Sequence, residues 1–181
     1  EEAKEHTLVE NLFGARALYD VAGLGDAGLT LYRTKFSSWL ALASGAQFSG
    51  DSYSLLSFDY HLSVDRVEFF GEGVRVQGAV GGISGILLQP AARTSLVIAV
   101  RSYPRELFSL HGLGFGEQTS TSNEQGVYVG MKVELVRRIR INLYYDQFKY
   151  PAPAGGSHFP SGGNDFFVEL STRPARRVEA I

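Results

Sequence analysis

Leu56-Ser57-Phe58-Asp59-Tyr60-His61-Leu62-Ser63-Val64-Asp65 alternates apolar and polar residues without a break. Successive side chains of an extended strand point to opposite faces. This stretch therefore makes one apolar face (Leu56, Phe58, Tyr60, Leu62, Val64) and one polar face that includes Asp59 and His61. The same period returns three times. Val127, Val129, Met131, Val133 and Leu135 alternate with Tyr128, Gly130, Lys132 and Glu134. Ile139, Ile141, Leu143 and Tyr145 alternate with Arg140, Asn142, Tyr144 and Asp146. Phe166, Val168 and Leu170 alternate with Asp165, Phe167, Glu169 and Ser171.

Weaker strand patterns fill 8–22, 27–37, 66–77, 79–89 and 95–103, so about nine strands are predicted, most of them roughly 9–14 residues long. Soluble strands average about 5–6 residues, whereas a tilted strand that crosses a bilayer needs about 9–11. Short turns are predicted at 23–26, 64–66, 90–93 and Arg137-Arg138, and long Gly/Ser/Pro-rich loops at 39–52, 104–123 and 151–163. Tight turns at one end and long loops at the other is the plan of outer-membrane barrels. The expectation is an all-β, antiparallel up-and-down transmembrane β-barrel. The competing arrangement is a soluble β-sandwich or lipocalin-like ligand-binding protein, in which apolar faces meet in a core or a cavity.

Composition fits both plans and excludes others. With 17 basic and 19 acidic residues and a net charge of −2, there is no cationic surplus to displace counterions from nucleic acid. The absence of cysteine removes disulfides, thiolate metal sites and a Cys nucleophile. No stretch approaches the roughly 20 apolar residues of a membrane helix. The single domain is expected to span 1–181, with 1–7 a short tail outside the barrel. The odd strand number and the ending Arg176-Arg177-Val178-Glu179-Ala180-Ile181 read as part of a larger barrel.

The second half carries a resemblance. Val67-Glu68-Phe69-Phe70-Gly71-Glu72, Arg101-Ser102-Tyr103-Pro104 and Phe115-Gly116-Glu117 are followed by Asn123-Glu124-Gln125-Gly126-Val127-Tyr128. Tyr144-Tyr145-Asp146-Gln147-Phe148-Lys149-Tyr150-Pro151 and Thr172-Arg173-Pro174 complete the run. Residues 60–177 thereby resemble the barrel region of helix-hairpin-helix-containing outer-membrane proteins of Bacteroidetes and Chlorobi-type bacteria. The N-E-Q-G-x-Y and Y-x-D-x-F-x-Y-P signatures are its most specific parts. The chain departs from that family in lacking the helix-hairpin-helix segment and in carrying Ala152 where a Trp usually follows the proline. The resemblance implies a barrel and an outer-membrane location, and no DNA-binding role.

The polar faces supply the candidate site residues. Asp59, His61, Glu68, Glu72, Arg101, Lys132, Glu134, Arg140, Asn142, Asp146 and Glu169 are expected to face the lumen. Their mixed signs favour cross-strand ion pairs over a charged selectivity ring. Phe58, Leu62, Val129, Met131, Val133, Ile139, Ile141, Leu143, Val168 and Leu170 are expected to face lipid. Tyr32, Phe36, Tyr53, Tyr103, Phe148, Tyr150 and Phe159, near strand ends, read as an interfacial girdle.

Catalysis finds no support. Ser57, Asp59 and His61 share a face, but i, i+2 neighbours on a strand sit about 6.6–7 Å apart, too far for a triad. His111 and His158 lack metal-ligand spacing, and Gly112, Gly114 and Gly116 precede no helix that could hold a phosphate. No catalytic, cofactor or metal residue is therefore expected. The functional expectation is a structural, scaffolding or transport component of the Gram-negative envelope. Its partners are the outer-membrane bilayer and other envelope subunits met through loops 39–52, 104–123 and 151–163.

Overall fold

The computed structural model describes residues 8–41, 48–136, 139–153 and 159–172. Nine strands form one antiparallel sheet in chain order. They are β1 (Glu10–Asp20), β2 (Gly25–Ala41), β3 (Ser49–Val64), β4 (Val67–Val76), β5 (Ala79–Ala91), β6 (Thr94–Tyr103), β7 (Glu124–Val136), β8 (Ile139–Tyr150) and β9 (Ser161–Thr172). The all-β, up-and-down expectation holds. The expected closure does not: among the described residues no ladder joins β1 to β9, and the sheet stays open. Alternation fixes which face a side chain takes, but closure depends on what meets the two end strands.

Two connections differ from expectation. β2 continues to Ala41 and β3 begins at Ser49, so the expected 39–52 loop is strand at both of its ends, and β9 begins at Ser161 inside the expected 151–163 loop. The β4–β5 connection lies at the long-loop end yet is a two-residue turn. Gln77 and Gly78 both have positive φ (50° and 95°), the conformation a tight hairpin turn requires. The expected tail at 1–7, the Arg137-Arg138 turn, His158 and the chain beyond Thr172 lie outside the described residues.

One hydrogen-bonded row crosses Val64, Val67, Leu88, Leu96, Met131, Leu143 and Val168. It starts at the last residue of β3 and leaves residues 169–172 of β9 beyond it. The turn ends therefore step back along the sheet, which with ~3.3 Å per residue and ~4.8 Å between strands tilts the strands by roughly 25–30°. A second row, Leu62, Phe69, Ile86, Ile98, Val129, Tyr145 and Phe166, runs beside it on the same face. Neither row contains a charge. Among the described residues no other element covers this face, and Phe58, Phe166, Val168 and Leu170 are 49–66% exposed.

The opposite face is covered by the chain itself. After β6, residues 104–123 cross back over the sheet and seat on its inner side at the long-loop end. Phe108 stacks on Phe48 and meets Tyr53 edge-on, and Leu107 is 2% exposed. The core is this cluster: Phe36, Phe48, Tyr53, Leu55, Val76, Tyr103 and Leu107. Tyr32, Phe36, Tyr53, Tyr103, Phe148 and Tyr150 all fall on this inner face. The expected girdle is thus largely an internal packing layer, because one residue of register decides which side an aromatic takes. Phe159 lies just before β9.

Candidate functional site: an inner-face charge network under a seated loop

Every one of the eleven expected inward residues, from Asp59 on β3 to Glu169 on β9, lies on the loop-covered face. The ten apolar residues expected to point the other way, from Phe58 to Leu170, lie on the uncovered face. What register adds is which of the inner residues meet.

Arg101 of β6 is the centre. Its Nε donates to Glu124 Oε1 at 2.6 Å and its Nη1 to Asp146 Oδ1 at 2.9 Å. All three side chains are at most 2% exposed. Asp146 is on β8, so the guanidinium passes over β7 to reach it. It does so above Gly126, its register partner, where an added Cβ would lie 2.4 Å from Arg101 Cζ. The glycine is needed here for its missing side chain.

The same device recurs at the other side of the sheet. Arg16 of β1 lies over Gly28 of β2 and grips Asp59 of β3 through two bonds of 2.7 and 2.8 Å. A Cβ on Gly28 would sit 2.6 Å from the guanidinium and 2.7 Å from the carboxylate. Each Arg–Gly–carboxylate bridge ties three strands together. Bidentate geometry makes such a pair strong and directional, although Arg16 and Asp59 remain partly open to solvent.

The buried cluster also holds the loop. Glu124 accepts backbone N–H bonds from Glu117 and Gln118 at 3.1–3.2 Å, which offset the second carboxylate beside one arginine. Tyr103 Oη donates to the Phe115 carbonyl at 3.1 Å, and Tyr53 Oη to the Phe108 carbonyl at 2.7 Å. His111 Nε2 is paired with Glu10 of β1 at 2.8 Å, and Asn123 exchanges two 2.8 Å bonds with Ala152. Phe115, Tyr128, Tyr144 and Phe167 then form a continuous chain of ring contacts across β7, β8 and β9, edge-on at Phe115–Tyr128, tilted at Tyr128–Tyr144 and stacked at Tyr144–Phe167. Glu117 at the loop edge is pushed above the usual carboxylate range, first by burial and then by the charges of Asp146 and Asp165.

The remaining expected residues are more loosely placed. His61 lies 3.4 Å from Glu68, which also accepts from Gln89 at 3.4 Å, while Asp59 is occupied by Arg16. Asn142 donates to Glu169 at 2.6 Å. Glu134 and Arg140 are register partners, but among the described residues neither they nor Lys132 form an ion pair. Glu72 lines a cavity of about 190 Å³ under the loop, otherwise walled mainly by Leu55, Val74, Val76, Tyr103 and Leu107.

Balanced ladder pairing is therefore corrected. Every strand but β5 and β6 turns at least one carboxylate inward, against Arg16, Arg101, Lys132 and Arg140 as the only inward cations among the described strand residues. Arg16 and the loop contacts were not singled out from sequence, and Glu124 was noted only within the N-E-Q-G-x-Y signature, not as an inward site residue. Arg16 and Asp59 are 43 residues apart, and only the pairing of β1, β2 and β3 brings them together. Among the described residues no group of side chains could hold a metal ion.

Gly126→Ala is expected to displace the Arg101 guanidinium and lower stability by about 1–3 kcal/mol, the usual cost of overpacking. Gly73→Ala, where a Cβ meets nothing within 4 Å, is the control. Urea unfolding curves of the two variants check this.

The chain was compared with protein-family models, curated proteins and solved structures, and none of them matches it.

Proposed function

We propose that the chain is a membrane-embedded β-sheet, a barrel or most of one, that serves the Gram-negative outer membrane as a structural or scaffolding component. One observation carries this reading: the fold is inside out relative to a soluble sandwich. Its charged face is covered by its own loop at the long-loop end, and among the described residues nothing covers its apolar face. In water that arrangement leaves two full rows of aliphatic and aromatic side chains wet, a patch far larger than soluble monomers expose. In a bilayer it places apolar groups in lipid and polar groups in the interior.

The strand stagger is in the direction that barrel closure needs, although its roughly 25–30° is less than the 35–45° typical of closed barrels. The resemblance to the helix-hairpin-helix-containing outer-membrane proteins supports the same reading. Its two signatures contribute Glu124, Gly126, Tyr128, Tyr144, Asp146 and Phe148, all on the inner face, so it is a resemblance of interior architecture. β1 and β9 run in the same direction, and one further strand between them, antiparallel to both, completes an even-numbered barrel. The seated 104–123 loop and the bridged charges favour a filled interior over an open conduit. Contacts with other envelope subunits fall to the rest of the long-loop end.

The protein is expected to be monodisperse only in detergent or lipid. Size-exclusion chromatography with light scattering in plain buffer checks this, and a stable monomer there contradicts the membrane reading.

A further inference from the structure

Charge on the uncovered face has a pattern that the bilayer reading alone does not require. Its outward strand positions hold no carboxylate among the described residues, and the charged ones are Arg33 and Lys35 on β2, Arg75 on β4 and Lys149 on β8. All four are exposed. All lie in the half of the sheet toward the long loops: Arg33 and Lys35 are the first and second outward positions after Leu31, and Arg75 is level with Leu56, with Phe13 and Val80 as the apolar register partners of Arg33 and Arg75. Three of them converge. Arg33 and Lys35 pair in register with Ser54 and Ser52 of β3, and Arg75 with Leu56 on the other side of that strand. Two strand spacings of ~4.8 Å, with register offsets of two and four residues at ~3.3 Å each, put Arg75 roughly 12 Å from Arg33 and roughly 16 Å from Lys35, a span that long cationic side chains and a headgroup carrying two phosphates bridge together. Among the described residues none of the three cations has an ion-pair or hydrogen-bonding side-chain partner.

We infer that Arg33, Lys35 and Arg75 form a site for the phosphate groups of an anionic lipid in the leaflet at the long-loop end, with Lys149 extending the cationic rim. The inference rests on the membrane reading above. Three observations select a lipid. Cations of one sign without counter-charge call for an anion, and arginine matches phosphate with two parallel bonds. The position is where headgroups meet the apolar belt. Leu31 and Leu56 lie level with Arg75, and Leu29 and Phe58 in the next row below, on the same face, a surface for acyl chains that a free phosphate ion would not use.

The test is native mass spectrometry of the full chain in neutral detergent, titrated with diphosphorylated lipid A. Phosphatidylcholine and inorganic phosphate serve as comparators. Lipid A is expected to be retained in preference to phosphatidylcholine and not displaced by millimolar inorganic phosphate. The triple variant R33A/K35A/R75A is expected to lose about a hundredfold in affinity, roughly fivefold per surface cation. K132A, an inward cation, is expected to change nothing; R33K/R75K, which keeps the charge but loses the paired bonds, is expected to bind between the parent and the alanine variant, and heat-resistant gel migration of the alanine variant equal to the parent's shows that it is folded. Equal retention of lipid A and phosphatidylcholine, or a triple variant that binds as the parent does, overturns the inference. Displacement by inorganic phosphate overturns it in favour of a free-anion site. A chain that needs no detergent fails the membrane reading instead, and is seen before lipid is added.

Discussion

Arginine at Val129 or Val168 is expected to block membrane assembly, at a cost of about 2–4 kcal/mol for a cation placed at mid-bilayer. Both residues sit on the uncovered face, in the two charge-free rows that run across the sheet. Ile141 lies nearer the turn end of β8, so Ile141→Arg is expected to cost less, as depth dependence requires. Lysine at Asn142, one residue away on the inner face, is expected to be tolerated, because Asn142 already reaches Glu169 at 2.6 Å and a cation there gains a partner. Gly130 is also inward, but it is no such control: a Cβ there would lie 2.8 Å from the Tyr128 ring. Folding yields into lipid vesicles, read as heat-resistant migration on gels, separate the two faces.

Removal of Arg101 is expected to be the most damaging change on the inner face. Arg101→Ala leaves Glu124 and Asp146 buried, at 1% and 2% side-chain exposure, without their cation. Breaking one member of a buried ionic cluster costs about 3–5 kcal/mol, because the orphaned charges stay out of water. The effect should spread to the loop, since Glu124 also accepts the Glu117 and Gln118 amides. Urea unfolding gives the stability loss. Proteolysis at Arg105, absent in the parent and rapid in the variant, reports the released loop. Arg16→Ala, at a solvated pair, is expected to cost far less than Arg101→Ala.

The faces were legible because a strand transcribes sequence into geometry with a period of two. Once Leu56 to Val64 is a strand, Phe58 and Asp59 are on opposite sides whatever the tertiary fold. Strand number followed from the same signal and from glycine-rich breaks. Loop boundaries were less legible, since Trp39, Leu40 and Ala41 continue a strand through a serine-rich stretch that reads as loop. The bridges were illegible for a different reason. Arg101 reaches past its ladder neighbour to Asp146, and nothing local marks Gly126 as the residue that lets it through. The aromatic positions failed at the level of register. Tyr53 and Tyr103 lie at strand ends, as a girdle would, but their parity turns them inward onto the loop. Closure is a property of β1 and β9 together, and no segment of sequence expresses it alone.

The central claim is that the uncovered face meets lipid. The chain contains no cysteine, so single spin labels at 141, 142, 143, 144 and 145 of β8 can be read without background in reconstituted vesicles. Collision rates with oxygen, which concentrates in the bilayer, are expected to peak at Ile141, Leu143 and Tyr145 and to fall at Asn142 and Tyr144. Collisions with a water-soluble nickel complex should not follow the oxygen peaks. A period of two in that phase is the predicted result. A flat profile, or one in which 141, 143 and 145 are the positions reached by the aqueous reagent, contradicts it.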